Sequence, residues 1–392
     1  FFLFFYWFTF AQDSIPTTYF NNPIEIPLTE GLNYTLSSDI FSPINMPPFN
    51  QSAMDGYAVN GTRKTFELIG EIQAGMDAST IALKEGEAVR IFTGAMVPAS
   101  ATTVIRQEIV DKTENSISIT CNFGQNENIR LAGEQIKVNE IAAKKGTRIT
   151  AGVLGFLVGI GIEKISVYRN PKIAVVATGD ELRPVGEKLT PGKIYESNSH
   201  MIQAALKSIG FECEIHRVTD NFEATKNLFS KLISENDLII AAGGISVGDY
   251  DFVGKALEEL STESLFYKVK QKPGKPLYLG TNGSTTIFGL PGNPGAALSC
   301  FYIYVSVTLA KLVGRKSPFV IPKIVQLSHD YSKPAGLTQF LKAKLSGTGV
   351  QILSHQSSAM LNVYADTNCI ARLEEKETNW KAGDEIVVYQ IP

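Results

Sequence analysis

Between Lys172 and Gly314, short apolar runs alternate with segments of helical period: KIAVVATGDEL, SHMIQAALKSIG, ECEIHRVTD, NFEATKNLFSKLISEN, DLIIAAGGISVGDYD, DFVGKALEEL and TTIFGLPGNPGAALSCFYIYVSVTLAKLVG. Strands separated by helices cannot pair as hairpins. They form βαβ crossovers and a mainly parallel sheet. In such sheets ligands bind beyond the carboxyl ends of the strands. Three of those ends carry unusual text: ATGDEL, AAGGISVGDYD and GLPGNPG.

The flanks read differently. TFELIGEI, EAVRIFTG, TTVIRQEIV and SISITC are short strand-like stretches, and they predict a small β domain over residues 47–129. Residues 1–46 plus 130–169 are expected to form one elongated N-terminal unit into which that domain is inserted. The α/β domain is placed at 170–316. Beyond it KIVQL, QFLKAKL, VQILS, CIARLEE and EIVVYQI predict a small C-terminal β-barrel or sandwich at 317–392. The fold class is thus multidomain, α/β plus β. The opening FFLFFYWFTF is too short to span a bilayer and lacks the basic flank of a signal peptide. It reads either as the remnant of an apolar leader core or as an altered chain start, and no function is read from residues 1–22.

Among 392 residues, 44% are hydrophobic, which suits large cores, and the net charge of −3 argues against a nucleic-acid-binding surface. An anionic ligand would have to meet locally placed Lys and Arg. Cys121, Cys213, Cys300 and Cys369 lie far apart with no C-x-x-C pair, as expected of reduced thiols in a cytoplasmic protein. The four histidines lack zinc-ligand spacing, so a metal site would be built from carboxylates.

Glycines after the DLIIAA strand leave backbone N–H groups free to form an anion-accepting nest. A strand-to-helix turn capped by Asp251 is the plainer reading. Gly244 to Gly248 also matches the G-x-S-x-G nucleophile elbow around Ser246, but His329 and His355 fall in the C-terminal β text, away from that sheet. Asp180, Glu181, Asp220 and Asp251 sit at neighbouring strand ends and are expected to converge. Clustered carboxylates repel unless a cation or a raised pKa relieves them, and oxygen ligands suit Mg²⁺ shared with a substrate phosphate. FYKVKQKPGKP supplies Lys268, Lys270, Lys272 and Lys275. Strand alternation would place the first three on one face. Prolines and glycines in KPGKP and LPGNPG stiffen the backbone and admit close approach, and the combination reads as an anion pocket.

SPINMPPFNQSAMDGYAV, IFTGAMVP, NIRLAGEQI, ATGDEL, IYESN, AAGGISVGDYDF, KPGKP, LPGNP and HQSS follow one another in order. Together they resemble the molybdopterin molybdenumtransferase family over roughly residues 24–392. The resemblance implies an elongated homodimer whose active site lies where the α/β domain of one subunit faces domains of the other. The implied reaction joins molybdate to adenylylated molybdopterin and releases AMP and molybdenum cofactor, with Mg²⁺ required. A molybdopterin adenylyltransferase is the implied pathway partner, and neither nucleic acid nor membrane is expected. On the matching positions, Asp55, Thr93, Glu181, Asp220 and Asp251 would be catalytic, and Glu181, Asp220 and Asp251 would hold the metal. Arg130, Ser246, Lys268, Lys272, Lys275, Pro291, Pro294 and Ser358 would bind substrate.

The chain departs from the family pattern in GEQI, where Gln135 stands for a carboxylate, and at Leu131 and Ala132, which are often basic. Residues 1–22 do not match the usual N-terminal helix. The same architecture also serves as a non-enzymatic scaffold, and its α/β domain is shared with the adenylyltransferases. The sequence is compatible with both alternatives.

Overall fold

The computed structural model describes residues 23–245, 252–347 and 349–392. Its centre is a six-stranded sheet in the order 214–218, 173–178, 238–242, 285–290, 278–282, 263–267. The first four strands are mutually parallel, as the alternating text predicts. The 278–282 strand runs antiparallel to both of its neighbours. It pairs with 285–290 through a two-residue loop at Gly283–Ser284, with Gly283 at φ 56°. From sequence, only TTIFGL reads as a strand here, although Asn-Gly-Ser between apolar runs is a hairpin signal.

Apolar side chains cover the sheet on both faces. Ile173, Val175, Ile240 and Phe288 pack against the 198–208 helix and the long 294–312 helix. Ala174, Val176 and Ile239 pack against Phe229, Leu232, Val253 and Leu257 from the helices Phe222–Glu235 and Phe252–Glu259. Asn221 caps the 222–235 helix by accepting from the Ala224 N–H. Pro294–Leu312 is long and apolar enough to cross a membrane, but 89% of it is buried, so it is a core helix. Its middle turn, Phe301–Val305, is π-helical.

The N-terminal segment leaves and returns. Pro23–Pro27 pairs antiparallel with Lys164–Tyr168, and Ile40–Phe41 pairs with Ile141–Ala143. Leu28, Leu36, Ile149, Leu157 and Val167 form their common core. Between the two passes lies a six-stranded sheet, in the order 103–106, 56–59, 87–91, 65–72, 116–119, 110–112. At the C-terminus, strands 338–346, 369–373, 385–390 and 322–326 form a sheet, and a bridge from Leu327 to Val350 curls it towards closure. Gln271–Lys272, from within the α/β region, joins this sheet as an edge strand parallel to 338–346. The chain therefore crosses the boundary that sequence reading placed at residue 316.

Candidate functional site

A cavity of about 1190 Å³ opens where the sheet's strand ends meet the C-terminal sheet. The α/β region contributes Glu181, Gly244, Ile245, the Gln271–Pro276 loop and the Pro291–Pro294 turn, and the C-terminal region contributes Leu337 and Gln356–Ala359. The 238–242 strand ends in Gly243 and Gly244, both with positive φ. At Gly244 a Cβ would lie 2.7 Å from Thr178 Oγ1 and from Val253 Cγ2, so a side chain there would drive the turn off the sheet.

Lys272 and Lys275, both exposed, line this cavity. Opposite them, the Pro291–Pro294 turn is tied to the C-terminal region. The Gly295 N–H donates to the Ser358 carbonyl at 2.8 Å, and Asn293 Nδ2 donates to Ser358 Oγ at 3.1 Å. Asn198 Nδ2 donates to the Gly292 carbonyl at 2.8 Å, which fixes the same turn from the 198–208 helix. Lys342, 5% exposed, donates to the carbonyls of Ser357 and Met360 and so anchors the Ser358 loop. Burial lowers its pKa.

Six of the expected residues thus line one cavity: Glu181, Lys272, Lys275, Pro291, Pro294 and Ser358. Ser246 and Asp251 lie outside the described residues. Asp220 does not line this cavity. Its Oδ2 accepts from the Asp180 N–H at 3.1 Å, while Asp180 Oδ1 accepts from the Asp220 N–H at 3.2 Å. Asp180 faces a smaller cavity of about 460 Å³ with Arg183, Lys193 and Arg217. The expected convergence of Asp180 with Glu181 is therefore corrected: they face different cavities, because adjacent residues of the turn project apart.

The shared face of Lys268, Lys270 and Lys272 is also corrected. The 263–267 strand ends at Tyr267, and Lys268 takes a left-handed φ of 66°, which breaks the alternation. Lys268 Nζ lies 4.9 Å from the Tyr267 ring centroid, and Lys270 pairs with Glu375 at 3.5 Å. Neither lines the cavity.

Asp55, Thr93 and Arg130 sit apart, on the inserted sheet and its neck. Asp55 Oδ1 accepts from the Thr93 N–H at 2.8 Å and from Thr93 Oγ1 at 2.7 Å. The Thr93 backbone and hydroxyl donors hold the Asp55 carboxyl below its ordinary pKa. Arg130 is exposed on the two-residue strand that pairs with Gln51–Ser52. In GEQI, Glu134 Oε2 accepts from the Leu131 N–H at 2.9 Å, which turns its side chain into its own loop.

Among the described residues, no group of three or more His, Cys, Asp or Glu is placed to hold a metal ion. Of the expected metal-holding carboxylates among the described residues, Glu181 alone lines the cavity, and Mg²⁺ commonly uses one or two carboxylates together with a substrate phosphate. Sequence reading missed Gln271, Asn198, Asn293 and Lys342. Asn198 and Asn293 stood inside quoted motifs, whereas nothing local marks Gln271 or Lys342 as buried.

Three family models match the chain: the MoeA N-terminal region (domain I and II) over residues 9–161, a probable molybdopterin binding domain over 174–311, and the MoeA C-terminal region (domain IV) over 325–391. A molybdopterin molybdenumtransferase of Staphylococcus epidermidis is 35% identical over 382 residues, covering 93% of this chain and 90% of that protein. One from Staphylococcus aureus is 32% identical, covering 96% and 91%. Among solved structures, the molybdopterin biosynthesis MoeA protein of Pyrococcus horikoshii matches with a TM-score of 0.80 at 29% identity, over 98% of this chain and 97% of that one.

Proposed function

Since this chain belongs to the molybdopterin molybdenumtransferase family, we propose that it joins molybdate to adenylylated molybdopterin and releases AMP and molybdenum cofactor. It is an enzyme of molybdenum cofactor biosynthesis. The single observation that carries the finer reading is the cavity holding Lys272 and Lys275 against the stiffened Pro291–Pro294 turn. Two oxyanions, molybdate and a pterin phosphate, must be held together there, and fixed cationic groups offset the repulsion between them. Lysine suits this task as a compact point charge with three donors. Placing such charges before the reaction begins is a common source of electrostatic rate enhancement.

Of the three carboxylates that the family pattern implies for Mg²⁺, Glu181 lines the cavity and would offer the ion an oxygen there, together with a substrate phosphate. When bound, the metal would withdraw charge from the leaving phosphate. Ser358 and the backbone N–H groups of the turn would orient the substrate's anionic end. Asp55 of the inserted domain, held ionised by Thr93, would act with Arg130 at that domain's neck.

Those last residues do not line the cavity within one chain, which supports a homodimer whose partner completes the site. The N-terminal unit has surface suited to such pairing. The Ala151–Gly159 helix has no charged residue, and Phe41, Leu131, Val138, Ile141 and Val158 are exposed. Phe41 and Ile141 are cross-strand partners, and a contiguous exposed apolar patch marks an association surface. A cytoplasmic location and supply of substrate by a molybdopterin adenylyltransferase complete the proposal.

The test is AMP release from adenylylated molybdopterin with Mg²⁺, with and without molybdate. Molybdate-dependent release supports insertion. Consumption of ATP with unadenylylated pterin would favour the adenylyltransferase reading, and absence of both binding and release would favour a scaffold.

A further inference from the structure

Gln271 is buried, with 2% of its surface exposed, on the edge strand that joins the α/β region to the C-terminal sheet. Its Nε2 donates to the Pro273 carbonyl at 3.1 Å and to the Gly274 carbonyl at 3.3 Å, and lies 3.5 Å from Cys300 Sγ. Its Oε1 accepts from the Tyr304 hydroxyl. Tyr304 is itself 1% exposed, in the π-helical turn of the core helix. The two carbonyls belong to the residues between Lys272 and Lys275. Gly274, at φ 82°, sits so close to the helix that a Cβ would come 2.4 Å from Cys300 Sγ.

We propose that Gln271 is a positioning residue that, anchored by Tyr304, sets where Lys272 and Lys275 meet the oxyanion. The inference rests on the reading of the cavity as an oxyanion pocket. Lysine side chains are flexible, so the placement of their ammonium groups depends on a fixed backbone beneath them. A buried amide is costly unless its hydrogen bonds are made, and a fully satisfied one rigidifies its surroundings. Here the amide closes both carbonyls of the segment between the cations and ties them to the core helix. An apolar side chain would fill the space and leave those carbonyls without a donor.

The test is calorimetric titration of the full-length chain with molybdate, at a temperature well below every variant's thermal midpoint. It uses the wild type, Lys275→Ala, Gln271→Met and Tyr304→Phe. Gln271→Met, with both lysines intact, is expected to weaken molybdate binding by about 3- to 10-fold, the scale of one net hydrogen bond. In turnover it is expected to raise KM for molybdate with kcat little changed. Tyr304→Phe, which leaves the two carbonyl bonds in place, should have the smaller effect. A Gln271→Met chain that melts earlier but binds molybdate as the wild type does would overturn the inference, even if Lys275→Ala loses affinity and so upholds the pocket. A wild type that binds no molybdate would overturn the pocket reading and this inference with it. Should Gln271→Met fail to fold, Gln271→Asn takes its place. The shorter amide cannot span both carbonyls, so wild-type affinity in that variant would count against the proposal equally.

Discussion

Arg169 and Asp237 form a two-pronged ion pair, Nη1 to Oδ2 at 2.5 Å and Nη2 to Oδ1 at 2.8 Å. Arg169 directly follows the returning 164–168 strand of the N-terminal unit, and Asp237 directly precedes the 238–242 strand of the central sheet. Asp237 is 8% exposed, and it also accepts from the Lys172 N–H at 2.7 Å. The pair therefore fixes the joint between the two regions.

Removing Arg169, which is itself partly exposed, leaves the buried Asp237 carboxylate without its cation, at a cost of about 1–3 kcal/mol. Arg169→Met is expected to lower the urea midpoint accordingly, and Asp237→Asn in the same background should recover part of the loss. An unchanged midpoint in Arg169→Met would show that the pair contributes nothing net.

Lys272→Ala and Lys275→Ala should each reduce kcat/KM for molybdate by about 10- to 100-fold, the scale of a charge-assisted hydrogen bond of roughly 1.5–3 kcal/mol. Lys270→Ala, whose ammonium pairs with Glu375 outside the cavity, should stay within about twofold, as expected for an exposed ion pair. Steady-state kinetics on the three variants decides this. Equal losses in all three would contradict the placement.

Thr93→Val removes the hydroxyl donor to Asp55 and keeps the backbone N–H bond. The Asp55 pKa should rise towards the ordinary carboxylate value without reaching it. The folded pKa of Asp55 lies below its unfolded value, so its contribution to stability is complete above the unfolded value. That contribution is lost as pH falls through the folded one. Carboxyl NMR titration of the wild type and variant reads the change. A downward shift in Thr93→Val would refute the account.

Cys300 and Cys369 are buried, and burial pushes their thiols up to about 12 and about 11. The thiolate is the reactive species, so neither should alkylate in the native chain at pH 8. Cys121 is exposed and should be modified first. Peptide mass spectrometry after brief iodoacetamide treatment checks the order.

Regular elements were legible where one local period sufficed. The 238–242 strand is a continuous apolar run, and the 222–235 helix has its Asn221 cap and an apolar stripe. The hairpin at Gly283–Ser284 escaped because Tyr278–Asn282 is short and follows the proline-rich KPGKP text, so only its partner strand TTIFGL stands out. The lysine face failed at Lys268, where one left-handed residue ended an alternation that composition could not show to be interrupted.

The order of strands and helices, the glycine-rich strand ends and the family motifs were therefore determined by the sequence alone, because each rests on contacts between near neighbours in the chain. Tertiary structure decided that Lys272 and Lys275 share a cavity with Ser358, that Asp180 and Glu181 face different ones, and that Gln271 sits beneath the lysine loop. Those relations depend on burial and on contacts between segments tens of residues apart. Local periodicity carries no information about them until the α/β and C-terminal regions pack together.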